Sequence, residues 1–224
     1  MNDFYKISHK IHEKSYEKIR LEEEIKLYDG WFEKGTSDTW RHLKMLDFLP
    51  VFTAESPESN WLTVGDGRFG TSAIYLEKNG ANVTATDIDV TLLKIAKEKN
   101  WIREYRYENA EAMSFQDNEF DYSFCKEAFH HFPRAYLALY EMLRVSKKAV
   151  MFVEPNDWLP LPWTARTLQG VKNSLKKLFG LTVPHHDEGN FETVGNYIFT
   201  VSKREFQKIA SGMGLPTVAF KEFT

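Results

Sequence analysis

The sequence predicts an α/β fold: a mostly parallel sheet with helices on both faces, preceded by a helical extension. Three observations predict it. From Asn60 onward, short apolar runs alternate with helix-like segments, the rhythm of parallel strands joined by crossover helices. The stretch WLTVGDGRFG, residues 61 to 70, sets Gly65, Gly67 and Gly70 between an expected strand and an expected helix. Asp87 follows Gly65 by 22 residues at the end of the next apolar run, near the spacing at which a carboxylate of a nucleotide-binding βαβ unit meets a ribose.

The elements follow in chain order. Residues 8 to 28 place Ile11, Ile19 and Ile25 among charges without Pro or Gly, which predicts a helix with its EEE and KIR runs in solvent. Asp29-Gly30 signals a turn, and WFEKGTSDTWRHLKMLDFLP predicts a short helix capped by Thr39 or Asp38 and ending before Pro50. TAESPESN reads as a loop. Residues 1 to 58 are therefore expected to form a helical extension packing on the core, and 59 to 224 the main domain. Strands are expected at 61–64, 82–86, 102–107, 120–125 and 149–153, and helices at 70–79, 90–99 and 133–145. The last of these carries an apolar stripe of Leu137, Leu139, Tyr140, Leu143 and Val145.

Pro155, Pro160, Pro162 and Pro184 break the rhythm, so about 155 to 195 reads as an insertion or lid. Its piece VKNSLKKLF is expected to pack on its own domain rather than on a membrane. YIFTVS is expected to be extended, Ser202 to cap the helix KREFQKIASGMG, and TVAFKEF to form a final strand.

Composition narrows the function classes. At 224 residues the chain can bury one substantial core. Its 29 Lys+Arg against 32 Asp+Glu give a formal charge of −3, which offers no global footprint for nucleic acid. Cys125 is the only cysteine, so no intrachain disulfide forms and a reducing, cytoplasmic setting is expected. No window approaches the ~20 apolar residues of a membrane span, and the start lacks the apolar core of a signal peptide. HHDE at 185 to 188 lacks zinc-ligand spacing, so no metal is expected. Aromatic residues, at 15%, crowd the first 60 positions and 155 to 200, where they would line a pocket or a partner surface.

The loop and Asp87 together indicate an adenosine-bearing cofactor; the plainer alternative is that Asp87 only caps the helix beginning near Val90. The segment ENAEAMSFQDNEFDYSFCKEAFHHFPRAYLALYEMLRVSKKAVMFVEPND decides between cofactors. Its order of parts resembles the class I S-adenosylmethionine-dependent methyltransferases: an acid or amide plus Ala after strand three, FD opening strand four, a histidine-containing helix, and an R-V-L-like lead into strand five. The resemblance spans about residues 60 to 155 and implies a Rossmann-like fold with S-adenosylmethionine as cofactor. Its detailed wording looks like a bacterial subgroup acting on small molecules or glycan precursors.

By that resemblance Gly65, Asp66 and Gly67 match the loop facing the methionine and ribose moieties, and Asp87 matches the ribose-hydroxyl ligand. Ile88 is implied to pack on the adenine, and Asn109, Ala110 and Glu111 to form the segment reading the adenine edge. Cys125, Lys126 and Glu127 lie where strand four passes the transferable methyl group. Two positions depart from the pattern: Thr63 stands where relatives usually carry an acid, and the glycine usual after the second loop glycine is displaced, leaving Arg68-Phe69-Gly70. Asp66 is the residue that could substitute electrostatically for the missing acid.

Methyl transfer from a sulfonium needs mainly orientation of the acceptor, and a base only for a hydroxyl or protonated amine. His131, His130 and Glu127 are the candidate catalytic groups, although packing beside the cofactor is the more ordinary role for each histidine. Glu154 and Asp157 are alternative bases. Trp158, Trp163 and Phe191 would close over the acceptor and exclude water. The expected protein is thus a cytoplasmic methyltransferase of a small-molecule or glycan-precursor acceptor. Its competitors are a non-catalytic cofactor-binding subunit and, further off, a nicotinamide-dependent oxidoreductase. The family's last, antiparallel strand has no obvious counterpart after TVAFKEF. Either YIFTVS supplies a strand or the chain is shortened, and an open edge would admit a homodimer.

Overall fold

The structure is a computed structural model that describes residues 3–14, 35–156 and 197–222. Among the described residues, five parallel strands form one sheet in the order β3-β2-β1-β4-β5. They are β1 (Asn60–Val64), β2 (Asn82–Asp87), β3 (Glu104–Tyr107), β4 (Phe120–Lys126) and β5 (Ser146–Val153). All four pairings are parallel, with one register shift near Phe120 in β4–β5. The order reverses between β1 and β4, and this switch point opens the crevice in which ligands of such sheets bind.

Strand periodicity places two cores, one on each face. Trp61 and Phe124 point into a layer with Leu76, Leu92 and Leu93, which come from α4 (Thr71–Lys78) and α5 (Thr91–Glu98). Leu62, Val64 and Cys125 point the other way, against Leu139, Met142 and Val145 of α6 (Ala135–Val145). The C-terminal helix α7 (Lys203–Gly212) adds Phe206 and Ile209 to that second layer.

The N-terminal part holds α1 (Phe4–His12), α2 (Ser37–Leu46) and α3 (Leu49–Glu55). Thr36 caps α2, its hydroxyl accepting from the Thr39 backbone N–H at 3.1 Å, in place of the expected Thr39 or Asp38. The expected short helix does end before Pro50, at Leu46. Pro50 itself sits in the first turn of α3, where a missing N–H costs nothing, and so the expected loop is partly helical. Phe48 and Phe52 pack edge-on against Phe124 and Tyr122 of β4, which fastens α3 to the sheet.

TVAFKEF was expected as a strand and is irregular through Glu222; its apolar Val218 and Phe220 are exposed. Among the described residues, YIFTVS pairs with the main chain at an isolated parallel bridge between Asn156 and Val201. Ser202 holds the N-cap position of α7 without a side-chain capping bond. Asp157, the aromatic lid residues, the HHDE cluster and VKNSLKKLF lie outside the described residues. No described helix is long and apolar enough to cross a membrane.

Candidate active site

The carboxyl ends of β1, β2, β3 and β4 converge on a cavity of about 700 Å³, within the range of small-molecule and cofactor sites. Gly65 leaves β1 at φ +70°, and a Cβ there would come within 2.4 Å of the Ala128 Cβ. Only glycine lets the chain turn here beside the β4 loop. Gly70, also left-handed, ends the loop and starts α4.

Asp87 closes β2. Its Oδ2 accepts from the Gly67 N–H and its Oδ1 from the Asp89 N–H, both at 2.8 Å. Burial raises the Asp87 carboxyl to about 6, against those two bonds and with help from the charges of Asp66 and Asp89. Each carboxylate oxygen has a further lone pair for a ligand hydroxyl. Asp87 and its neighbour Ile88 both line the cavity.

Beyond β3, Glu108, Asn109, Ala110 and Glu111 line the adjoining wall. Asn109 Oδ1 accepts from the Glu111 N–H at 3.0 Å, forming a tight turn. Glu111 is buried and committed elsewhere: it accepts from the Arg134 N–H at 2.6 Å and from Arg134 Nε at 2.7 Å. Glu108 was not anticipated. Its carboxylate accepts from the Ser114 N–H and hydroxyl, which fixes a second buried acid beside Asn109.

Across the crevice, Lys126 and Glu127 emerge at the tip of β4 and form an ion pair at 2.8 Å. Glu127 has φ +51°, a costly conformation for a non-glycine residue and one that clusters at functional sites. Burial opposes its charge, but Lys126, Arg41 and His42 together hold its carboxyl below the ordinary value. His131 lines the same region.

Several expected residues do not line the cavity. Asp66 turns inward to receive the Ser72 and Ala73 N–H groups at 3.1 and 2.9 Å, so it caps α4 instead of reaching the crevice. Burial pushes its carboxyl up, against those bonds. Gly67 reaches the site only through its N–H to Asp87. Cys125 is fully buried in the α6 layer; burial and the Glu154 charge keep its thiol well above the usual range. Strand parity turns it away from the cavity that the next residue, Lys126, faces. His130 is bound through Nδ1 to Glu154 Oε2, while Glu154 Oε1 also accepts from the Ala128 and Phe129 N–H groups at 2.9 Å. Glu154 is thus a buried strut for the 3-10 turn Phe129–His131.

The N-terminal extension supplies residues that sequence reasoning did not assign to the site. His9 of α1 stands 3.2 Å from Glu111 Oε2 and 3.4 Å from Asn109 Nδ2. His12 of α1, and Arg41 and His42 of α2, also line the cavity. The density of histidine and aromatic residues in the first 45 positions was their only signal.

Residues 62–153 match the family described as a methyltransferase domain. The match spans 92 of the 224 residues. The residues around the cavity fit S-adenosylmethionine. The domain offers a glycine turn with close backbone approach, a β2 carboxylate with spare lone pairs, and an amide-bearing turn beyond β3, all on one cavity. A 60-residue stretch is 42% identical to the ubiquinone/menaquinone biosynthesis C-methyltransferase UbiE of Zymomonas mobilis, covering 25% of this chain and 25% of that protein. The match therefore spans about a quarter of that relative's length. The fold resembles the YcgJ protein of Bacillus subtilis, with TM-score 0.51, 22% identity, and coverage of 75% of this chain and 67% of that one. It also resembles an S-adenosylmethionine-dependent methyltransferase of Methanosarcina mazei, with TM-score 0.50, 19% identity, and coverage of 73% and 82%.

Proposed function

We propose that the protein transfers a methyl group from S-adenosylmethionine to a small-molecule or glycan-precursor acceptor, and that it works in the cytoplasm. The observation that carries this is the convergence of Gly65, Asp87 and Asn109 on one cavity whose far wall is Lys126, Glu127 and His131. Asp87 would accept the ribose hydroxyls, Ile88 would pack on the adenine, and Asn109 with Glu108 would meet the adenine edge. Gly65 gives the methionine moiety a smooth backbone path towards the tip of β4.

When bound, the cofactor supplies an electrophilic methyl carbon, which the acceptor's nucleophilic atom takes while S-adenosylhomocysteine departs with the sulfur electron pair. The chain's own work is orientation and charge control. His131, one of several cavity-lining imidazoles and the one at the tip of β4, would take a proton from a hydroxyl or ammonium acceptor. His130 serves by holding the turn through Glu154. Residues 1–58 act as an extension that roofs the cofactor, while 59–224, with an insertion at about 155–195, form the catalytic domain. Two copies would pair through the β5 side of the sheet, giving a homodimer by light scattering; a monomer at micromolar concentration removes that part.

Calorimetry with S-adenosylmethionine, S-adenosylhomocysteine and NADH tests the reading. Micromolar binding of the first two and none of the third is expected. Binding of NADH alone, or of none of the three, overturns it.

A further inference from the structure

One imidazole ties the wall beyond β3 to helix α1. Asn109 lines the cavity there, together with Glu108 and with His9 of α1. The two ends of the Asn109 amide are identified by their contacts: Oδ1 accepts from the Glu111 N–H at 3.0 Å, and Nδ2 stands 3.4 Å from His9 Nδ1. An amide nitrogen donates and does not accept. His9 Nδ1 is therefore the acceptor of a long hydrogen bond, which leaves the ring proton on Nε2.

Several contacts hold that ring in place. Its Nε2 is buried 3.2 Å from Glu111 Oε2, off the line of a full hydrogen bond but within reach of the carboxylate's charge. Glu111 is itself fixed by Arg134, whose backbone N–H and Nε donate to its two oxygens at 2.6 and 2.7 Å. The Arg134 guanidinium lies 3.8 Å from the Tyr5 ring centroid, and Tyr5 meets His9 edge-on with 5.9 Å between centroids. The imidazole is thus set by its own helix and by the Glu111–Arg134 pair together.

What the amide has left is specific. A primary amide carries two N–H donors and two oxygen lone pairs; His9 takes one donor and the Glu111 N–H one lone pair. One N–H and one lone pair remain, in an order that the two contacts define. A fixed donor beside a fixed acceptor reads the edge of a base, which an amide free to turn end for end would not. With His9 gone, the Glu111 N–H alone would oppose that turn.

We infer that His9 is a specificity-determining positioning residue: acting from α1, it fixes the order of donor and acceptor on Asn109 and so the purine edge that the site admits. This rests on the proposed S-adenosylmethionine site. Adenine offers an amine donor next to a ring-nitrogen acceptor, and hypoxanthine, its deaminated form, exchanges the two. A turning amide tolerates both bases; a fixed one selects.

The test titrates the full chain calorimetrically with S-adenosylhomocysteine and with S-inosylhomocysteine, its hypoxanthine counterpart. The first should bind roughly tenfold tighter or more, since a mismatched edge leaves polar groups of the site unpaired. His9→Phe keeps an aromatic ring beside Tyr5 but removes the acceptor, and should narrow that ratio roughly threefold or more. His9→Asn returns a carbonyl oxygen at the reach of Nδ1 and should restore most of the ratio. In an Asn109→Ala background, His9→Phe should leave the ratio unchanged, whatever it does to the docking of α1. Four results overturn the inference while leaving the cofactor reading intact: no preference for S-adenosylhomocysteine in the unsubstituted protein; an unchanged ratio in His9→Phe, whether or not both ligands weaken together; a ratio in His9→Asn as narrow as in His9→Phe; or a further change of ratio when His9→Phe is added to Asn109→Ala. Failure of S-adenosylhomocysteine to bind the unsubstituted protein overturns both.

Discussion

Asp87 and Gly67 are joined by a 2.8 Å hydrogen bond from the Gly67 N–H to Asp87 Oδ2, which ties the glycine loop after β1 to the acid at the end of β2. The proposed ribose contact and the shape of the loop thus depend on one carboxylate. Asp87→Ala should weaken S-adenosylhomocysteine binding by about 1–3 kcal/mol, the range for a lost charge-assisted hydrogen bond. Calorimetry measures this, and an unchanged Kd places the ribose elsewhere.

The same residue predicts two opposite pH trends. Burial raises its carboxyl to about 6 from an ordinary 3.8, so the folded protein holds this proton more tightly than the unfolded chain. Its charge is therefore a liability above pH 6, and its contribution to stability improves as pH falls from about 6 towards 4. Cofactor affinity should move the other way, because ribose hydroxyls donate to the ionised form. Titrations from pH 7.5 to 5 should show affinity falling through about 6 in the unsubstituted protein and a flatter profile in Asp87→Asn.

Gly65→Ala combines a left-handed φ with a Cβ 2.4 Å from the Ala128 Cβ. The expected loss is roughly 2–4 kcal/mol, from backbone strain and overpacking together. Ala128→Gly removes the atom in the way but not the strain. A urea-denaturation double-mutant cycle should therefore recover part of the loss; strict additivity would show that the two positions do not touch in solution.

Glu154 has a side chain that is 1% exposed and accepts from the Ala128 and Phe129 N–H groups as well as pairing with His130. Glu154→Ala leaves buried donors without an acceptor and should destabilise by about 2–5 kcal/mol. Glu127→Ala removes a partner that is a third exposed and that no backbone N–H relies on, so it should cost less than Glu154→Ala. Equal urea midpoints for the two variants contradict this ranking.

Arg134 links the sheet to α1. It donates to the buried Glu111 carboxylate at 2.7 Å, and its guanidinium lies 3.8 Å from the Tyr5 ring centroid. Arg134→Ala should loosen α1, seen as faster amide hydrogen exchange across Phe4–His12 with β1 and β4 unchanged. Unaltered exchange in α1 would show that its other ties, Tyr107 to Glu13 at 2.7 Å and His9 to Glu111 at 3.2 Å, secure it without Arg134.

The order of strands and crossover helices was legible because each apolar run carries its own period and each glycine or proline its own punctuation. Asp87 was legible because a strand end and a spacing define it. Asp66 and Cys125 were misplaced because neighbouring residues in a loop or strand face opposite ways. Which way each faces depends on the helix it caps or the layer it packs in. The helix that Pro50 begins was not read because Phe48 and Phe52 hold it against β4, contacts that local sequence does not encode.

By itself, then, the sequence determined the parallel sheet, the glycine turn and the acid that follows it, all consequences of short-range periodicity and backbone freedom. Only the tertiary structure decided which side chains share the cavity. His9 and Arg41 lie far along the chain from Asn109 and Glu127 yet stand on the same crevice walls. That proximity is set by how α1 and α2 dock on the strand ends, a packing outcome with no local signature.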